Sequence, residues 1–86
     1  MEKNSILSRT GKREAISKLP LVEIVGQTRV LIENHRGVIG YSSDEIQIKV
    51  SYGKLSVTGS CLTFMQISKE QLVITGKISA VALIGR

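Results

Sequence analysis

The chain holds one imidazole and one thiol, His35 and Cys61, the two ingredients of a Cys-His nucleophilic pair. Such a pair needs the ring beside the sulfur and a third group to orient the ring. No motif flanks either residue, and they fall in different turn regions, so the expectation is a solvent-facing turn histidine and a buried thiol, the usual place for a free cysteine. A zinc site fails on arithmetic, because one His and one Cys cannot supply a tetrahedral N/S set within one chain. Asp44-Glu45, in Ser42-Ser43-Asp44-Glu45, reads as a turn that starts a strand, where adjacent side chains point to opposite faces. Gly37-Val38-Ile39-Gly40 lacks the third glycine and the following helix of a phosphate-binding loop. No catalytic, cofactor-binding or metal-ligating residue is therefore assigned, and the expected protein is non-enzymatic with no cofactor.

Binding chemistry is better supplied. The chain has 12 Lys+Arg against 7 Asp+Glu, a net charge of +5, and five of those bases (Lys3, Arg9, Lys12, Arg13 and Lys18) lie in the first nineteen residues. A basic segment beside a nearly neutral body suits an acidic partner, an anionic membrane surface or nucleic acid. Single-strand binders add aromatic stacking platforms, and the only aromatics are Tyr41, Tyr52 and Phe64, which disfavours nucleic acid. The other polar concentration is Asn34-His35-Arg36, a donor-rich turn between Val30-Leu31-Ile32 and Val38-Ile39. Asn34 tolerates the left-handed region and Gly37 adopts it freely, so the stretch suits a β-hairpin connection. The partner-contact residues are thus Asn34, His35 and Arg36 of the turn and Lys12, Arg13 and Lys18 of the basic segment. The rival role for the turn is to fix the local chain by hydrogen bonding.

The elements that position these residues read as all-β. Pro20 closes the N-terminal segment, because the residue before proline is pushed out of the α region; the expected division is a basic segment over 1–19, flexible or a short helix, and a β domain over 20–86. Within the latter, Ile46, Ile48 and Val50 alternate with polar neighbours, as do Leu55 and Val57, which marks two half-buried strands joined by a Ser51-Tyr52-Gly53-Lys54 turn. Val30-Leu31-Ile32 and Ile78 to Ile84 are apolar on both faces and are expected to be covered strands, with a subunit contact, and hence a homo-oligomer, as the alternative. Leu21, Val38, Leu55 and Leu72 recur every seventeen residues and suggest four strand pairs. The expected fold is a small antiparallel β-sandwich or meander of about seven to eight short strands, with a short β-solenoid as the alternative. Ile6-Leu7 is too short for the apolar core of a signal peptide, no apolar run is long enough to span a bilayer as a helix, and a lone cysteine fits a reducing compartment.

Four stretches, Leu21-Val22-Glu23-Ile24-Val25-Gly26, Ile32-Glu33-Asn34-His35-Arg36-Gly37, Gly53-Lys54-Leu55-Ser56-Val57-Thr58-Gly59 and Leu72-Val73-Ile74-Thr75-Gly76-Lys77-Ile78, resemble the YqfC/YabP sporulation proteins of endospore-forming bacteria, the second being closer to the YqfC branch. The similarity covers about residues 19 to 84. It implies a non-enzymatic structural or adaptor protein of the mother cell, cytoplasmic or peripheral at the membrane around the forespore, with a membrane sporulation protein of the YqfD type as partner. It carries no assigned binding residues.

Overall fold

The computed structural model describes residues 19–85. The expected short helix and the contact residues Lys12, Arg13 and Lys18 lie outside them. Six strands, β1 (Leu21–Val25), β2 (Arg29–Glu33), β3 (Val38–Tyr41), β4 (Glu45–Val50), β5 (Gly53–Ile67) and β6 (Gln71–Gly85), form one open antiparallel sheet in the order β1-β2-β6-β5-β4-β3. The all-β meander is as expected, and the antiparallel neighbours exclude a solenoid. The strand count is corrected from seven or eight to six, and the reason lies in two glycines.

In the first two seventeen-residue units the chain reverses: Gly26-Gln27-Thr28 joins β1 to β2, and Ser42-Ser43-Asp44 joins β3 to β4. At the corresponding places in the last two units, Gly59 and Gly76, it bends but does not turn back, so each unit becomes one strand of 15 residues. Straight, such a strand would run about 50 Å. The molecule measures 43 × 24 × 23 Å, so both long strands must bend within it. The β5–β6 register shifts at Thr58/Gly59 and Ser60/Thr63, where Cys61 takes a φ of 55°, and again at Phe64/Gln66.

The bends divide the sheet into two lobes. In one, β1 and β2 pair with the first part of β6, Arg29 opposite Thr75 through Glu33 opposite Gln71. In the other, β3 and β4 pair with the first part of β5, Glu45 opposite Thr58 through Val50 opposite Gly53. Each hairpin turn is tied to a bend. The Gly59 and Leu62 N–H groups donate to the carbonyls of Asp44 and Ser43 at 3.0 and 2.9 Å, and those of Gly76 and Ile78 donate to Thr28 and Gln27 at 3.3 and 2.7 Å.

One core serves both lobes. Val30, Ile32, Leu72 and Ile74 from one lobe cluster with Ile46, Ile48, Val50, Leu55 and Val57 from the other, and Leu62 and Ile78, just past the bends, complete the cluster. Each fully buried aliphatic side chain contributes about 1.5–3 kcal/mol. The alternation in β4 and early β5 places these residues as expected. Val30 and Ile32 are likewise buried, with Leu31 half-buried, so β2 is a covered strand. The end of β6 is not: Leu83 is 52% and Ile84 42% exposed. That expectation fails because β2 pairs with β6 only over Gln71–Thr75, leaving Ser79–Gly85 at the margin of its lobe.

Candidate functional site

The Asn34–Gly37 connection is not a hairpin, since β2 and β3 do not pair; it carries the chain from one lobe to the other. Asn34 takes a φ of 65° and Gly37 one of 123°, which turn the backbone over this short crossing. The Asn34 N–H donates to the Glu70 carbonyl at 2.8 Å, and its Nδ2 donates to the Leu19 carbonyl at 2.8 Å. His35 Nδ1 accepts from the Gly37 N–H at 2.9 Å, which assigns the ring proton to Nε2, and Nε2 lies 2.9 Å from the Ser68 carbonyl it donates to. Both ring nitrogens are thus committed to holding this crossing against the Ser68-Lys69-Glu70 turn. That turn is closed in its own right by Ser68, whose N–H donates to the Gln71 carbonyl at 2.8 Å and whose Oγ accepts from the Gln71 N–H at 3.1 Å.

His35 and Cys61 are not brought together. Cys61 sits at the bend of β5, seven residues before Ser68, so about 20 Å of strand separates it from the carbonyl His35 grips. It is also exposed, not buried, because the bend that gives it positive φ turns Leu62 into the core in its place. Among the described residues no three of His, Cys, Asp and Glu are grouped as a metal site would require. Asp44 lies in the turn and Glu45 opens β4. The Ser42 hydroxyl accepts from both of their N–H groups, and the Glu45 carboxylate turns onto the outer face of β4. There it accepts from Gln47 Nε2 and Ser56 Oγ, each at 3.0 Å. These two bonds, with nearby Lys54, hold its pKa below the ordinary value of 4.5.

Two surfaces have the form of contact sites. The first is a polar hollow of about 300 Å³ lined by Glu33, Asn34, Ser68, Glu70 and Gln71. Gln71 Nε2 donates to Glu33 Oε2 at 3.3 Å, and Gln66 donates to Gln71 Oε1 at 3.0 Å, so its polar groups are largely joined to one another. The second is an apolar hollow of about 270 Å³ lined by Ile39, Lys49, Gly53, Lys54, Ile84 and Gly85. It crosses all four strands of one lobe, and Lys49 and Lys54 face each other directly across the β4–β5 pair. The backbone of Arg36 is tied to Lys49: its N–H donates to the Lys49 carbonyl at 2.7 Å, and the Lys49 N–H donates to the Gly37 carbonyl at 2.8 Å. Of the three turn residues, Arg36 alone is exposed, while Asn34 and His35 are half-buried.

Sequence reasoning singled out neither hollow. Glu33, Ser68, Glu70 and Gln71 had one available signal: Asn34 and Ser68 are 34 positions apart, twice the seventeen-residue repeat, and so end corresponding units. Ile39 and Ile84 had none, because β3 and the end of β6 are brought to the same lobe only by the bends. Tyr41 and Phe64 contact each other, with ring centroids 5.2 Å apart and planes inclined at 36°.

A family model for the YabP family matches residues 18–86, which is the whole β domain. The chain belongs to the YabP family. This family member is also similar to the uncharacterized protein YqfC of Bacillus subtilis (strain 168), at 28% identity over 68 residues, covering 79% of this chain and 73% of that protein. No solved structure matches. Among the described residues no helix is long and apolar enough to cross a membrane.

Proposed function

We propose that the chain is a non-enzymatic sporulation protein of the mother cell, a structural or adaptor domain that contacts a membrane sporulation protein of the YqfD type at the membrane around the forespore. Membership of the YabP family supports the sporulation role. The observation that carries the contact reading is the apolar hollow lined by Lys49 and Lys54, with the exposed Arg36 tied by its backbone to Lys49. Two lysines directly opposite one another repel by a few tenths of a kcal/mol, and an acidic segment laid between them removes that cost while its apolar side chains enter the hollow. Asn34 and His35 act beneath this surface by fixing the crossing that presents Arg36. Lys12, Arg13 and Lys18 extend the basic character of the contact.

The test is capture of the tagged protein from sporulating cells in mild detergent. Stoichiometric recovery of a YqfD-type membrane protein is expected, and its loss in an Arg36→Glu, Lys49→Glu variant of unchanged melting temperature locates the contact. Recovery of the protein alone from a salt-stable soluble fraction overturns the reading. The second reading, favoured by the net charge of +5, is attachment to anionic lipid or nucleic acid through the basic segment. Attachment of that kind weakens steeply as salt rises to about 0.2 M, whereas an apolar protein contact persists.

A further inference from the structure

Among the described residues four strand edges are unpaired, and they differ in how they are protected. β1 follows Pro20 and carries Glu23; β3 has four residues and a register shift between Val38 and Gly40. The second part of β5 is broken by two register shifts. Such features stop an edge from pairing with another chain. The second part of β6 has none of them beyond Ser79, the residue skipped at the Thr58/Gly59 shift. From Ser79 to Gly85 it carries no charge and no proline, and its pairing with β5 is regular from Gly85 opposite Gly53 to Ala80 opposite Thr58.

Both faces beside that edge are also unfinished. Val81 and Leu83 lie opposite Val57 and Leu55 and so share the core-facing side, yet Leu83 is 52% exposed. Ala80, Ala82 and Ile84 lie opposite Thr58, Ser56 and Lys54 on the outer side, and all three are exposed. A small ligand would cover one face. Apolar residues bare on both faces, with an unpaired backbone between them, require a strand.

We infer that this strand is the same segment of a second copy, paired antiparallel about a two-fold axis at Ala82. That axis centres the pairing on Ala80–Ile84, within the regularly paired run, and the contact closes at two copies. An axis perpendicular to the sheet keeps core-facing residues on one side. Val81 then meets Leu83 of the partner subunit, Ala80 meets Ile84 of the partner subunit, and Ala82 meets its own equivalent. Each of these pairs is apolar, and on the outer face the small Ala80 stands opposite the large Ile84. Five paired residues span about 17 Å, a small contact of the weak, concentration-dependent class. The inference goes beyond the adaptor reading and does not depend on it.

Sedimentation of the full chain from about 1 to 500 µM, the range in which a weak contact is read, is expected to pass from one protomer to two. Ala82→Lys and Ala82→Glu each place like charges opposite one another and are expected to remain monomeric with an unchanged circular dichroism spectrum, because Ala82 is exposed. Mixed in equal amounts they are expected to form the dimer again. Leu83→Lys gives the same loss from the other face. A wild type that stays monomeric, an assembly that grows beyond two, or an Ala82→Lys variant that associates as the wild type does overturns the inference.

Discussion

At the scale of single residues, the polar chemistry of this chain is spent on its own backbone. Asn34 and His35 bind Glu70, Leu19, Ser68 and Gly37, and Ser42 and Ser68 close their turns. The Glu45 carboxylate is held by side-chain hydrogen bonds. Its bonds from Gln47 and Ser56 favour the ionised form and lower its pKa below the unfolded value. The native state therefore releases this proton more readily than the unfolded chain, and the stabilisation is present above about pH 4.5 and lost as pH falls through the lowered native value. Glu45→Gln is expected to flatten the melting temperature between pH 5 and pH 3 relative to wild type, as read by thermal scans across that range. Ser51 makes the opposite point: its buried hydroxyl has no hydrogen-bond partner. Removing it in Ser51→Ala is expected to stabilise the domain by about 1 kcal/mol, a rise of about 4–8 °C in melting temperature.

At the scale of elements, the strands were legible and their continuity was not. Alternation identified Ile46, Ile48, Val50, Leu55 and Val57 as core because that pattern depends only on neighbours along the chain. The glycines at 26, 59 and 76 look alike in sequence, yet the first ends a strand and the other two bend one. A glycine permits either outcome, and what decides between them is a hydrogen bond from a turn fifteen or more residues away, such as that between Gly59 and Asp44. Position 59 is also closed sterically: a Cβ there would overlap the Lys77 carbonyl on the adjoining strand. Gly59→Ala must push β5 and β6 apart at the bend and is expected to cost about 2 kcal/mol or more in urea unfolding. Gly40→Ala is the control, because a Cβ there meets nothing within 4 Å, and it is expected to shift stability by less than about 0.5 kcal/mol. The candidate contact surface escaped sequence reading for the same reason. Lys49 and Lys54 lie on different strands and meet only through β4–β5 pairing, and Arg36, in the connection before β3, is tied to Lys49 only by backbone hydrogen bonds.

At the scale of the whole molecule, two lobes are built by two strands that each belong to both. A chain this small buries only about 60% of the surface exposed on unfolding, so neither lobe holds enough apolar area to stand alone. The core has the matching form: Ile74 on β6 and Ile46 on β4 lie in different lobes, are both fully buried, and belong to one cluster. The crossing at Asn34–Gly37 and the paired bends at 59–62 and 76–78 add backbone ties between the same halves. If the lobes fold as one unit, damage to either core half must loosen both. Ile74→Ala and Ile46→Ala are each expected to cost about 2–5 kcal/mol. Hydrogen exchange should then show the amides of β2 and β4 losing protection together in each variant. Protection lost only in the lobe that carries the substitution would mean that the bends act as hinges between separable units. The comparison has to be made at one protein concentration, because pairing through the end of β6 adds stability to the folded state as concentration rises.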